Sequence, residues 1–255
     1  MIAIRTADEI ERIRASARIV GAALRLAGEQ ARPGVTTQEI DAAVEAFIVA
    51  QGAKPSFKGY RGFPASACVS INDVVVHGIP STDRALAEGD IVSIDVGAYK
   101  DGYHGDGAWT FAVGEVAEES QRLMKVTRAA LEAGIAQARP GRRLGEVSQT
   151  IQRHVEEAGF SVVRALVGHG IGRQLHEPPE VPNFGGRRQG PTLAAGMVIA
   201  IEPMVNTGGC EVFTEADEWT VRTRDGSRSA HFEHTVAITA DGPEILTLPG
   251  PGSDA

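Results

Sequence analysis

Residues 22–34 read AALRLAGEQARPG and residues 129–141 read AALEAGIAQARPG, with eight of the thirteen positions identical. The offset is 107 residues, and without a gap it also pairs Glu39 with Glu146, Gly52 with Gly159 and Gly89 with Gly196. It places Asp95 on Glu202, inside GDIVSID (89–95) and GMVIAIE (196–202). Several matches in one register indicate an ancient duplication.

Working outward from the repeat, both halves share one grammar. Thr6 with Glu9 predicts a capping box, followed by Ile10, Ile13, Ala17, Val20 and Leu24 at helical spacing. Arg32-Pro33-Gly34 breaks that helix, and a second one is predicted from Thr36, with Glu39 three residues on, to about Gly52. Strands are expected at 67–71, 74–76, 91–99 and 103–113, then at about 162–168, 197–202, 211–213, 218–224 and 230–239. The Pro- and Gly-rich stretch 178–193 is expected to be a loop. The pattern is α+β: two pseudo-two-fold related helix-helix-strand halves around a mainly antiparallel sheet.

The chain of 255 residues, 42% hydrophobic, can bury one large core. It reads as a single domain over 1–255, with halves of about 1–113 and 114–248 and a fraying tail at 249–255. A net charge of -8 without a Lys/Arg cluster argues against nucleic-acid binding. Cys68 and Cys210 match no metal spacing or disulfide framework. Acids arrive at Asp8 and Glu9, where a signal peptide needs an apolar stretch, and no apolar run has membrane-spanning length. A cytoplasmic monomer is expected.

Asp95 sits inside the apolar run Ile91–Val96, where a carboxylate is costly unless paired or bound to a cation. A hairpin centred on Lys100 and Asp101 would set Asp106 directly opposite Asp95. Glu202 ends the equivalent run of the second half, and Glu233 precedes a strand as Asp106 does. Four acids then meet at the pseudo-two-fold axis, with His169 of GHGIG (168–172) placed to join them. Five ligands, four of them oxygen donors, exceed what one zinc takes and suit two divalent ions bridged by carboxylates.

These residues lie in NDVVVHGIP (72–80), DIVSIDVG (90–97), GYHGD (102–106), GHGIG (168–172), LHEPP (175–179), AIEPM (200–204) and FEHT (232–235). In these motifs the chain resembles the type I methionine aminopeptidases, which have the pita-bread fold, and the likeness spans essentially the whole sequence. The resemblance implies removal of initiator methionine from nascent polypeptides when the second residue is small, with transient contact at the ribosome. It implies two divalent ions (Co, Mn, Fe or Zn) on Asp95, Asp106, His169, Glu202 and Glu233. Asp106 and Glu233 would bridge, His169 and Glu202 would complete one ion, and Asp95 the other. Glu202 would act as general base, with His77 and His176 contacting substrate and donating to the developing oxyanion. Tyr60, Phe63, Cys68, His77, Leu175 and Trp219 would line the methionine pocket; Leu175 stands where the family usually has phenylalanine, which loosens the pocket. Carbonyls of Asn72, Val74 and Ser229 would hold a monovalent cation.

His104, His231 and His234 flank these ligands and are read either as partners of ligands or as ordinary strand histidines, while His154 is read as solvated. The alternatives are a prolidase or Xaa-Pro aminopeptidase with the same ligands, and a metal-free binding module of the same fold. Proline-directed relatives carry a large extra N-terminal domain, whereas here the catalytic repeat begins at once. Only 31 positions separate Glu202 from Glu233, which leaves no room for the helical insertion of type II enzymes. No His-Glu-x-x-His helix, Gly-x-Ser-x-Gly elbow or Walker A loop is present.

Overall fold

The computed structural model describes residues 1–248; the tail expected at 249–255 lies outside them. The first half comprises α1 (Ala7–Gln30), α2 (Thr37–Ala50), β1 (Lys54–Pro55), β2 (Ala67–Ile71), β3 (Val74–Val76), β4 (Ile91–Lys100) and β5 (Tyr103–Ala112). The second begins with α3 (Glu118–Ile135), α4 (Leu144–Glu157), β6 (Ser161–Val162), β7 (Gly168–Gly170) and β8 (Glu177–Val181). It continues through β9 (Val198–Ile201), β10 (Met204–Asn206), β11 (Val212–Thr214), β12 (Val221–Thr223), β13 (Ser229–His231), β14 (His234–Thr239) and β15 (Gly242–Ile245).

The two helices of the first half start where the capping chemistry dictates. Thr6 and Glu9, and again Thr36 and Glu39, satisfy each other's first-turn N–H groups reciprocally. In α4 the Thr36 position is Arg143, and Glu146 keeps only its half of the exchange, accepting from the Arg143 N–H at 3.2 Å.

The duplication is visible in the backbone. β2, β4 and β5 form an antiparallel meander with β4 central, and β7, β9 and β14 repeat it with β9 central. The Gly34 N–H donates to Leu86 O and the Leu86 N–H to Val35 O; 107 residues on, Gly141 donates to Leu193 O and Leu193 to Arg142 O. The β-bridges Thr36↔Ala85 and Arg143↔Thr192 stand at the same offset. The repeated glycines of the turn before each central strand, Gly89 and Gly196, hold φ of 89° and 94°, a left-handed backbone that disfavours a side chain.

Each half buries its own core, α1 and α2 over β2 and β4, and α3 and α4 over β9 and β14. A third apolar cluster, including Phe63, Cys68, Ile171, Leu175 and Val198, joins the halves beneath the site. The halves are sewn together where β5 runs antiparallel to residues 231–235. Thr235 Oγ1 accepts from the Asp106 N–H at 3.0 Å and donates to Asp106 O at 2.7 Å. The Glu233 N–H donates to Ala108 O at 2.9 Å. Thr110 Oγ1 accepts from the His231 N–H at 2.9 Å and donates to its carbonyl at 2.8 Å.

Four expectations are corrected. The hairpin turn is Asp101-Gly102, with φ of 50° and 88°, because that pair tolerates the left-handed geometry a tight hairpin needs. Pairing therefore shifts by two, setting Asp95 opposite Ala108 and Gly97 opposite Asp106. The run expected at 162–168 is two short strands, β6 and β7, separated by a turn. The run expected at 230–239 is broken between β13 and β14 at Phe232-Glu233. The loop expected at 178–193 carries most of β8, which pairs with β7; its prolines are tolerated because β8 is an edge strand. No helix of the described residues is long and apolar enough to cross a membrane.

Candidate active site

The two-residue register shift preserves side-chain parity, so Asp95 and Asp106 remain on one face of the β4–β5 hairpin as diagonal neighbours. From the other half, Glu202 follows β9 and Glu233 lies in the break between β13 and β14. His169, central in the three-residue β7, completes the group: its Nε2 lies 3.8 Å from Asp106 Oδ2 and 3.6 Å from Glu202 Oε1. Ligand atoms of Asp106, His169 and Glu233 lie within 4.8 Å of one another, as do those of Glu202, His231 and Glu233.

The electrostatics of this cluster are those of a site built for positive charge. Asp106 and Glu233 are 4% and 2% exposed, and no Lys or Arg is paired with any of the four acids among the described residues. Burial first, then mutual repulsion, pushes Asp106, Glu202 and Glu233 well above the ordinary carboxylate range. Burial alone lifts Asp95 to about 7, opposed by the Val96 backbone N–H. Asp95 Oδ1 and Glu233 Oε1 are buried without a hydrogen-bond partner. Orphaned carboxylate oxygens among four acids that line one cavity are the kind of donor that hard and borderline divalent cations take. His169 fits the same use. Its Nδ1 lies 2.9 Å from Gly170 O, and a proton held there leaves the Nε2 lone pair facing the acids. Burial holds that imidazole below its ordinary pKa, in the neutral form a ligand needs.

The acids form one end of a cavity of about 200 Å³. All the residues expected in the methionine pocket reach it: Tyr60, Phe63, Cys68, His77, Leu175 and Trp219. Trp219 packs edge-on to Phe63 at 5.1 Å and to His77 at 6.2 Å between ring centroids. Cys68 is paired with Asp95 across β2 and β4. Its burial and then the nearby carboxylates push the thiol well up, so it contributes a neutral, soft surface. Phe57, Arg61, Val76, Leu166, Val167, Met204 and His231 also line the cavity. Sequence reasoning missed the first six, even Val76 and Met204 inside quoted motifs, because none carries a spacing that marks it as lining a site and they converge only through the fold.

His77 has a φ of 58°, rare for a residue with a Cβ, and the turn that imposes it is tied down on both sides. The Gly78 N–H donates to Ser70 Oγ and the Val69 N–H to Gly78 O, and a Cβ on Gly78 would collide with the Val69 backbone. Strain kept in this way concentrates at functional positions. His176, on the solvent side, lies 2.8 Å from the Tyr60 hydroxyl through Nδ1 and stacks on that ring at 5.2 Å. Tyr60 thus orients a histidine as well as lining the pocket, a role no spacing revealed.

The remaining residues fall outside the cavity. Asn72 O accepts the Ser229 N–H at 2.8 Å, and Val74 begins β3, so the three residues suggested for a monovalent cation are neighbours. His104 bonds Ser56 Oγ and His234 bonds Thr247 Oγ1, while His154 is exposed.

Comparison with known proteins agrees with this site. The metallopeptidase family M24 model matches residues 11–240. A methionine aminopeptidase of Clostridium acetobutylicum is 54% identical over 248 residues, 97% of this chain and 99% of that protein. The methionine aminopeptidase structure from Thermotoga maritima superposes with a TM-score of 0.96 at 48% identity, covering 97% of this chain and 100% of that one. A prolidase from Pyrococcus furiosus shares the fold at a TM-score of 0.76 but only 26% identity, with 97% of this chain matching 66% of that one. On this agreement of site, fold and sequence, the chain belongs to metallopeptidase family M24, among its methionine aminopeptidases.

Proposed function

We propose that this chain is a single-domain, two-metal aminopeptidase that removes the first methionine from polypeptides whose second residue is small. The observation that carries the reading is a set of four acids lining one cavity beside apolar side chains, two of the acids, Asp95 and Glu233, having buried oxygens without a hydrogen-bond partner. Asp106 and Glu233 would bridge two divalent ions, His169 and Glu202 would complete one, and Asp95 the other. Co, Mn, Fe and Zn all suit a donor set of four carboxylates and one imidazole. When bound, the ions would supply an acidified water at neutral pH and an anchor for the substrate's free α-amine.

The chain's own groups supply the rest. Glu202 takes the proton of the attacking water and passes it to the leaving amine. His77 and His176 stabilise the developing oxyanion; a Tyr60 hydroxyl donating to His176 Nδ1 keeps the imidazole proton on Nε2, where a donor is needed. Two apolar clusters reach the cavity. Phe63, Cys68, Leu175, Tyr60 and Trp219 would hold the thioether, and Val76, Met204 and Leu166 would face the second residue. The substrates are N-termini of nascent chains in the cytosol, met near the ribosome, and the enzyme acts as a monomer. A monovalent cation on the carbonyls of Asn72, Val74 and Ser229 would stiffen the turn leading to His77.

The test is kcat/KM of the metal-loaded protein on Met-Ala, Met-Leu, Ala-Ala and Ala-Pro peptides, with metal content measured in parallel. Met-Ala is expected to be cut best, Met-Leu and N-acetylated Met-Ala to resist, and bound metal to approach two ions per chain. Faster cleavage of Ala-Pro than of Met-Ala would move the chain to the proline-directed branch.

A further inference from the structure

One buried polar atom facing the acids has no role in the scheme above. His231, the last residue of β13, is 1% exposed, and its Nε2 is buried without a partner. Its backbone is gripped at both polar atoms by Thr110 Oγ1, so the ring's origin is fixed. Nε2 lies 3.8 Å from Glu202 Oε2, while His169 Nε2 lies 3.6 Å from Glu202 Oε1. Two imidazoles therefore flank one carboxylate, one at each oxygen.

The two rings are not equivalent. The Nδ1 of His169 is committed to Gly170 O, which leaves its Nε2 as a lone pair for a cation. The Nδ1 of His231 makes no hydrogen bond among the described residues, so nothing draws the proton away from Nε2. An Nε2–H facing a carboxylate oxygen is a donor, and 3.8 Å is about 1 Å longer than a formed hydrogen bond. A small turn of the Glu202 side chain closes that gap while leaving Oε1 on the His169 side.

We propose that His231 is a positioning residue for Glu202, donating its Nε2–H to Oε2 so that Oε1 is presented to the cation shared with His169. The proposal rests on Glu202 being a metal ligand. It explains why a histidine with no other partner is held by a hydroxyl clamp beside the acids, and it makes His231 an outer partner of the centre, not a sixth ligand.

The test uses metal-free full-length protein titrated with Co²⁺, read by calorimetry and by visible absorption, with kcat and KM on a Met-Ala peptide alongside. His231→Leu removes the donor and is expected to weaken Co²⁺ binding about 10–100-fold. His231→Gln keeps an N–H at similar reach and is expected to restore most of that affinity and the native visible bands. His231→Asn keeps an N–H that falls short, so it should resemble Leu, and it decides the matter should the Leu variant fail to fold. Unaltered affinity in both Leu and Asn overturns the proposal. Gln as weak as Leu, with altered visible bands, also overturns it by making the imidazole a ligand. Glu202→Gln separates this proposal from its premise: if that change leaves Co²⁺ affinity intact, the ligand assignment itself fails, whatever the His231 variants do.

Discussion

At the residue scale the decisive fact is that carboxylates which repel one another are buried together. Asp106 and Glu233 each face two or more other acids, so either is tolerated only protonated or beside a cation. Asp106→Ala or Glu233→Ala should therefore lower kcat/KM by at least about 10²-fold, several kcal/mol of charge stabilisation having gone, and should cut bound metal. Near-normal turnover at full metal occupancy would rule out a shared, bridging role. His176 makes a different prediction, because its ring is held by Tyr60 and not by the acids. His176→Ala should reduce kcat by about 10²–10³ with little change in KM, as loss of one oxyanion donor does. A rise in KM alone would make it a binding residue.

At the element scale, the site depends on how closely α1 lies against the β4–β5 hairpin. A Cβ on Gly105 would fall 2.5 Å from the backbone N of Ala17 and 2.6 Å from its Cα, and backbone cannot step aside. Gly105 immediately precedes Asp106, so the close approach and the placement of that acid are coupled. Gly105→Ala should cost about 1–3 kcal/mol, as overpacking does, with each kcal/mol lowering Tm by about 2–4 °C at this chain length. Metal affinity should fall with it. Thermal unfolding and metal titration check both; an unchanged Tm would mean α1 is free to shift. The hairpin shows how an element protects a site from misreading. Moving the turn from Lys100-Asp101 to Asp101-Gly102 slides the pairing by two, an even number, and so both acids stay on one face.

At the scale of the whole molecule, the metal-free protein should show an inverted pH dependence. Asp95 is lifted from 3.8 to about 7, and Asp106, Glu202 and Glu233 are lifted as well. A raised carboxylate binds more protons in the folded state, so its contribution is complete below the unfolded value and is lost as pH rises through the folded one. The buried histidines act with the opposite sign. His231 and His104, lowered from 6.5 to about 3 and about 4, favour folding above 6.5 and lose that contribution as pH falls. The carboxylates therefore dominate above 6.5. Between pH 6.5 and 8 the Tm of the metal-free protein should fall, and Asp95→Asn should flatten the slope. Saturating Mn²⁺ or Co²⁺ should raise Tm more at pH 8 than at pH 6.5. A metal-free Tm that rises across this window would mean the acids are not held protonated.

The duplication, the capped helices, strands β2 to β5 and the acids of the site were legible in the sequence because each is written in local spacing. A 107-residue offset, an acid three residues after a threonine and a carboxylate in an apolar run are all local signals. The second half was less legible: its strands are two to six residues long, are interrupted at Glu233 and include an edge strand of prolines. Only tertiary structure could decide what depends on side chains from distant segments meeting at one point. Tyr60 orients His176 across 116 positions of chain, Thr235 clamps Asp106 across 129, and Val76, Leu166 and Met204 become one wall. The physical reason is that sequence spacing records which face a residue takes within its own element, whereas a site of this kind is defined by which faces of different elements are pressed together.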